Sequence, residues 1–291
     1  MAIEFITARN TDRLQSRLCH HGEVTLATEA HGDPLAPPMV LVMGAMASML
    51  WWPDALVDAL VEAGRYVIRY DHRDTGLSSF WEPGTASYTL DDMADDLFAV
   101  MNGYSLEQAE VVGMSLGGAI AQVAALRVPS RFTSLALLSS TPLGRRDLPR
   151  PTAELLAVMT EESAVDWSVR DSVVDFMVRS SAAMAGPSRS FDVGPARAFI
   201  ARDYDRALSY ASGNNHGKVV QSIADDARSA TQIHVPTVII HGTADPVFPL
   251  AHGEALASEI PDARLVRIPG GGHGHHPQDS RLIIDALLSA D

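Results

Sequence analysis

The chain has 291 residues, with 22 basic and 36 acidic side chains, a formal net charge of −14 and 46% hydrophobic residues. This length fits one large α/β domain or a core with an inserted subdomain. Because the charge is acidic and no Lys/Arg-rich run is present, nucleic acid and anionic membranes are not expected as partners. The single cysteine, Cys19, excludes an internal disulfide and a cysteine-based zinc site.

The first ten residues lack the long apolar core of a secretory signal, and no run of 18 apolar residues occurs anywhere. We therefore expect a cytoplasmic protein that makes no membrane contact.

Apolar runs typical of strands alternate with helical patterns in the first half of the chain. The run 38–42 (PMVLV) is continuously apolar, as expected for a strand that is covered on both faces. The patterns predict strands over 24–30, 38–42 and 65–70, helices over 52–63 and 90–101, a short strand before residue 115, a helix over 116–128 and a strand over 132–139.

The alternation stops over 143–231, which is helical and polar and is interrupted by prolines and glycines. It resumes with a strand over 237–241, a helix near Glu254, a strand over 263–268 and a helix over 281–288. This order predicts an α/β protein with a mostly parallel, doubly wound sheet. The predicted core comprises residues 1–142 and 232–291, and a helical lid is inserted at 143–231.

The most informative motif lies in residues 110–119 (EVVGMSLGGA), where a short apolar strand meets a serine between two glycines and then a helix. This is the G-x-S-x-G nucleophile elbow, in which a strained turn holds the serine hydroxyl at the rim of a parallel sheet. Gly113 and Gly117 are needed because a Cβ at either position would clash. Ser115 is thus the candidate nucleophile, at a helix N-terminus that favours negative charge.

A serine hydroxyl needs a base to accept its proton and an acid to orient that base. In this arrangement the chain order is Ser, then Asp or Glu, then His. Asp245 follows the strand over 237–241, and His273 follows the strand over 263–268. Both would lie with Ser115 at the carboxyl edge of the sheet, where open α/β sheets place their sites.

Each assignment has an alternative. Asp245 precedes a proline and could serve only as a turn former. The position after the strand over 132–139 can carry the acid in related folds, but it has no carboxylate here. His275 and His276 compete with His273 in a glycine-rich loop, and the GHGHH cluster could bind metal adventitiously. We favour His273, and we interpret His72 and His241 as structural.

A developing oxyanion needs two backbone N–H donors. One is expected from Leu116, the residue after the nucleophile. The other is expected from the loop after the strand over 38–42, where Gly44 lets the backbone turn in and Ala45 supplies the N–H.

Together these motifs resemble the α/β-hydrolase superfamily over roughly 38–142 and 233–277. A narrower resemblance, to the aclacinomycin methylesterase group, rests on residues 41–44 (LVMG), 67–78 (VIRYDHRDTGLS) and 235–238 (VPTV) leading to Asp245-Pro246. Enzymes of that group remove the methyl group of a polyketide methyl ester in anthracycline biosynthesis. The resemblance implies a cofactor-free, metal-free serine methylesterase with Ser115, Asp245 and His273 as its triad and a small-molecule ester as its partner. Ala45 stands where that group has a second glycine, and the lid does not visibly match.

Thioethers and aromatic rings flank the predicted catalytic loops and favour a pocket for a bulky, flat acyl group. The candidate pocket residues are Met46, Trp51, Trp52, Met114, Trp167 and Phe176. The alternative for the lid aromatics is that they only pack the lid against the core.

The same triad could serve other reactions. A cofactor-free haloperoxidase, or perhydrolase, differs only in the nucleophile that attacks the acyl-enzyme, and a carbon–carbon bond hydrolase is also open. A non-catalytic, small-molecule-binding relative of these hydrolases is the alternative from a different class.

Overall fold

The computed structural model describes residues 14–289, and its centre is an eight-stranded sheet. The prediction for the first ten residues lies outside the described range. The strands are β1 (Leu14–His21), β2 (Val24–His31), β3 (Pro38–Val42), β4 (Tyr66–Tyr70), β5 (Ala109–Met114), β6 (Phe132–Leu138), β7 (Thr237–Gly242) and β8 (Arg264–Ile268).

The strands are ordered β1-β2-β4-β3-β5-β6-β7-β8. β2 pairs antiparallel with β1 and β4, whereas every other neighbouring pair is parallel. The predicted α/β class with a mostly parallel sheet is therefore confirmed. β1 was not predicted, because it is largely polar; it pairs with β2 through a two-residue loop in which Gly22 has a φ of 61°.

The helices are α1 (Asp54–Glu62), α2 (Leu90–Gly103), α3 (Leu116–Arg127), α4 (Ala153–Thr160), α5 (Arg170–Met184), α6 (Val193–Arg206), α7 (His216–Ser222), α8 (Ala251–Glu259) and α9 (Ser280–Leu288). α1 begins two residues later than predicted, because Met49–Trp51 form a separate 3₁₀ turn and Pro53 takes the N-cap. α2 begins with a reciprocal capping box between Thr89 and Asp92.

The sheet is covered on both faces, because successive side chains of a strand point to opposite sides. Val40 and Val42 of β3 pack into the cluster that contains α2 and α3, whereas Met39 and Leu41 pack with α1 and α9. α3 is buried around most of its circumference, so the turn that precedes it has little room to move.

Residues 139–236, which we call the β6–β7 segment, form no strand and contain α4 to α7. α5 and α6 form a hydrophobic cluster of their own around Val173 and Ile200, against which Trp51 of the core packs. Within residues 14–289, no helix has the length and apolar character needed to cross a bilayer.

Candidate active site

Ser115 lies between the end of β5 and the start of α3, with a φ of 53° and a ψ of −118°. This left-handed backbone is strained for a residue with a side chain. A Cβ on Gly113 would lie 2.4 Å from the Gly117 carbonyl oxygen, and one on Gly117 would lie 2.1 Å from the Val42 carbonyl oxygen. Only glycines fit at both positions, and the turn leaves the Ser115 side chain partly exposed at the sheet edge.

Two hydrogen bonds hold the strained Ser115 backbone. Its N–H donates to the Leu138 carbonyl (3.0 Å), and its own carbonyl accepts from the Ser140 hydroxyl (2.9 Å). A Cβ on Gly118 would lie 2.3 Å from Ser140 Oγ, so the hydroxyl is closely packed against α3. Ser140 was not among the residues predicted from the sequence, because a hydroxyl two residues after a strand is not a distinctive pattern.

His273 bridges Ser115 and Asp245. Its Nε2 lies 3.0 Å from Ser115 Oγ, and its Nδ1 lies 2.9 Å and 3.1 Å from the two carboxylate oxygens of Asp245. With Nδ1–H donating to the carboxylate, Nε2 is left as an acceptor for the serine hydroxyl. The structure thus brings together the three residues that the sequence placed after β5, β7 and β8.

The Asp245 carboxylate is buried but well hydrogen-bonded. Its Oδ1 accepts from the N–H groups of Val247 (2.8 Å) and Phe248 (2.9 Å). Burial alone would raise the pKa of Asp245, but the His273 and His241 imidazoles and the Phe248 N–H together hold that pKa below its usual range. The carboxylate is therefore ionised at neutral pH and can stabilise a protonated His273.

His275 and His276 have other contacts. His275 Nε2 lies 3.0 Å from Ser280 Oγ, and His276 Nε2 donates to the Ser190 carbonyl (3.1 Å). Neither histidine hydrogen-bonds to Ser115 or Asp245 in the described part of the chain. Residues 14–289 contain no group of three or more His, Cys, Asp or Glu side chains arranged to hold a metal ion.

The loop after β3, residues 43–48, is called here the oxyanion loop and passes beside the serine. A Cβ on Gly44 would lie 3.3 Å from the Ser115 Cβ. Neither the Ala45 N–H nor the Leu116 N–H donates to a protein acceptor within residues 14–289. Two unpaired donors near the serine hydroxyl are what a developing oxyanion requires.

Two buried imidazoles hold the oxyanion loop. His72 Nε2 donates to the Met43 carbonyl (2.8 Å), and His216 Nδ1 accepts from the N–H of Met46 (3.0 Å), whose φ is 63°. Burial, reinforced by the neighbouring His216, lowers the pKa of His72 to about 3, and burial likewise lowers the pKa of His216. Both rings are therefore neutral. His216 lies in α7, and its contact with this loop was not predicted from the sequence.

The candidate pocket residues are dispersed. Met46, in the oxyanion loop, and Trp51 are partly exposed, and Met114, directly before the serine in sequence, is buried. Trp52 is fully buried in the cluster with α1, against which Trp51 also packs. Trp167 and Phe176 contact each other, with ring centroids 6.1 Å apart, inside the α5–α6 cluster.

Comparisons with known proteins decide the family. A family model described as the alpha/beta hydrolase fold matches residues 37–279. The chain belongs to the alpha/beta hydrolase family. It is therefore a hydrolase, as the elbow motif predicted.

Among the relatives, rhodomycin D methylesterase DnrP of Streptomyces peucetius is 31% identical over 89% of this chain and 92% of that protein. Rhodomycin D methylesterase DauP of Streptomyces sp. (strain C5) is 30% identical over the same shares. The predicted resemblance to anthracycline methylesterases is thus confirmed.

The solved structures support the fold. A hydrolase from Pseudomonas aeruginosa PA01 superposes with a TM-score of 0.72 at 24% identity, covering 98% of this chain and 99% of that one. The meta-cleavage product hydrolase CumD from Pseudomonas fluorescens IP01 superposes with a TM-score of 0.73 at 22% identity, covering 97% and 100%. At these identities the hydrolase fold is shared, whereas the substrate is not indicated.

Proposed function

We propose that this hydrolase is a serine carboxylic-ester hydrolase that demethylates a bulky polyketide methyl ester of the anthracycline type through an acyl-enzyme. The observation that carries the proposal is the continuous hydrogen-bonded chain from Ser115 Oγ through His273 to Asp245. The likeness to the two rhodomycin D methylesterases supports the substrate class.

In the proposed reaction, His273 Nε2 accepts the hydroxyl proton while Ser115 Oγ attacks the ester carbonyl carbon. The carbonyl oxygen becomes an oxyanion, which accepts from the Ala45 and Leu116 N–H groups. When the tetrahedral intermediate collapses, methoxide leaves with the proton from His273 as methanol. Water, deprotonated by the same imidazole, then attacks the acyl-enzyme, releases the carboxylic acid and restores the serine hydroxyl.

We propose that residues 143–231, the greater part of the β6–β7 segment, act as the lid on a core of 1–142 and 232–291. The acyl group would lie between the oxyanion loop and this lid, near Met46 and Trp51. Trp51 is supported from the lid side, because its Nε1–H donates to Asp203 of α6 (2.9 Å) and its ring meets Phe199 edge-on at 5.0 Å. Trp52 is not retained in the proposed pocket, since it has no exposed surface.

A substrate panel tests this function. We expect kcat/KM for a rhodomycin-type methyl ester to exceed that for methyl acetate by orders of magnitude, because binding energy from the rings positions the ester carbonyl. Equal kcat/KM values for the two esters would contradict the substrate class. Hydrogen peroxide, added as an alternative nucleophile, measures perhydrolysis. A vinylogous diketone, added as an alternative substrate, measures carbon–carbon bond cleavage. A faster rate for either reaction than for methyl-ester hydrolysis would replace the methylesterase assignment. Binding of the methyl ester without turnover would indicate a non-catalytic binding protein.

A further inference from the structure

The loop that carries His273 (residues 269–279, called the histidine loop) contains three consecutive glycines, a composition that favours backbone mobility. Core residues hold it at several points: the Ala244 N–H donates to the Gly271 carbonyl (2.9 Å), the Gly270 N–H donates to Thr243 Oγ1 (2.8 Å), and the His273 ring contacts Asp245 and Ser115. A second set of contacts comes from the β6–β7 segment, which lies against the same loop.

One guanidinium joins the two ends of the histidine loop. Arg189 binds Asp279 in a bidentate pair, with Nε 3.0 Å from Oδ2 and Nη2 2.5 Å from Oδ1, and Nη2 also donates to the Pro269 carbonyl (2.8 Å). The two side chains are only 10% and 7% exposed. A planar fork of donors suits such a bridge, because it fixes geometry as well as charge.

The Asp279 side chain does not cap α9. Asp279 occupies the N-cap of α9, where an aspartate ordinarily accepts from the first helical N–H groups, yet its side chain makes no capping bond. Both carboxylate oxygens bind Arg189 instead. The pair therefore supports the histidine loop rather than the start of α9.

The backbone of the β6–β7 segment also fastens the middle of the loop. The His273 N–H donates to the Met184 carbonyl at the end of α5 (2.9 Å), and His276 Nε2 donates to the Ser190 carbonyl. A Cβ on Gly272 would lie 2.3 Å from the Ala185 carbonyl oxygen. The glycine run thus permits a close approach to residues 184–190.

We propose that Arg189 is a positioning residue for His273: by bridging Pro269 and Asp279, it holds the histidine loop against residues 184–190 with Nε2 in reach of Ser115. This inference rests on the proposed role of His273 as the base. A misplacement of about 1 Å in such a group can lower the rate about a hundredfold.

The test is Arg189→Met, which keeps the aliphatic stem and removes the guanidinium. We expect kcat to fall about ten- to a hundredfold on both p-nitrophenyl acetate and p-nitrophenyl decanoate, with little change in KM, since proton transfer fails for either ester. Arg189→Lys should recover part of the rate, because an ammonium can attract Asp279 but cannot bridge it to Pro269.

The matched control is Arg170→Met. Arg170 also makes a bidentate pair, with Asp205 (2.6 and 2.7 Å), but on the exposed face of α5 and α6. We expect its kcat on both esters to stay within about twofold of wild type, because exposed ion pairs contribute little.

Two outcomes would overturn the inference: unchanged kcat in a folded Arg189→Met, or a rise in KM for the decanoate alone, which would mean that Arg189 only shapes the pocket.

If Arg189→Met does not fold, Asp279→Asn replaces it, because it removes the same ion pair at nearly constant shape. Wild-type protein inactive on both esters would count against the proposed function. In that case the proton NMR signal of His273 Nδ1–H decides separately: its loss in Arg189→Met supports the positioning role, and its retention refutes it.

Discussion

Ser115 and His273 face each other across 3.0 Å, but different parts of the chain hold them in place. The Ser115 turn is fixed by backbone groups of β3, β5, β6 and α3 and by the Ser140 hydroxyl two residues after β6. The histidine loop and the oxyanion loop contact the core too, through Asp245 and His72, but they are also held by side chains and carbonyls from residues 184–216 of the β6–β7 segment. The nucleophile is therefore held almost entirely by the core, whereas the positions of His273 and of the oxyanion loop depend also on the folded β6–β7 segment.

This contrast predicts that adding one methyl group, by a Gly→Ala substitution, lowers kcat/KM most at the nucleophile elbow. In Gly117→Ala, the new Cβ would lie 2.1 Å from the Val42 carbonyl oxygen and 2.5 Å from that of Met43, at the start of the oxyanion loop. We expect kcat/KM to fall by at least about a hundredfold, because nucleophile and oxyanion donors shift relative to each other. Overpacking should also lower stability by about 1–3 kcal/mol.

Gly217→Ala is the control for that substitution, with steady-state kinetics and thermal melting measured on both proteins. Gly217 is exposed in α7 and has no heavy atom within 4 Å of its added Cβ. It should keep wild-type kcat/KM and gain up to about 1 kcal/mol of stability, as helical Gly→Ala changes do. Similar losses in the two variants would show that the elbow has no special constraint.

A smaller effect is expected where the β6–β7 segment supports the oxyanion loop. Asp203 of α6 is buried and accepts from Ser48 Oγ and Trp51 Nε1. Asp203→Ala would leave both donors unsatisfied, at a cost of about 1–3 kcal/mol of stability. We expect kcat/KM to fall about tenfold, equivalent to ~1.4 kcal/mol of transition-state stabilisation.

Asp205→Ala, two residues further along α6, is the matched comparison, because Asp205 is exposed and, within residues 14–289, pairs with Arg170 alone. Its melting temperature and kcat/KM should be close to those of wild type. If Asp203→Ala also keeps the wild-type melting temperature and kcat/KM, the oxyanion loop does not depend on α6. The contrast between the core and the β6–β7 segment would then not hold for the oxyanion loop.

The same contrast explains what the sequence could predict. The elbow and the buried strands are encoded by neighbouring residues, so short patterns indicated them. Chain order pointed to Asp245 and to a histidine after β8, with His273 favoured over His275 and His276. The Arg189–Asp279 pair, the His216 contact to Met46 and the Ser140 bond join residues far apart in sequence, and no local pattern marks them. Trp52 shows a related limit: its position beside Trp51 suggested a pocket, but its side chain is fully buried in the core.

The most direct test of the account is to ask where the acyl group resides during turnover. The protein is mixed with p-nitrophenyl acetate, quenched within the first turnover and examined by peptide mass spectrometry. We predict a burst of one p-nitrophenol per protein and one acetyl group on Ser115, both absent from Ser115→Ala, whose kcat should fall by ~10⁴ or more. Acetyl on another residue, or full turnover by Ser115→Ala, would contradict the central claim that Ser115 is the nucleophile.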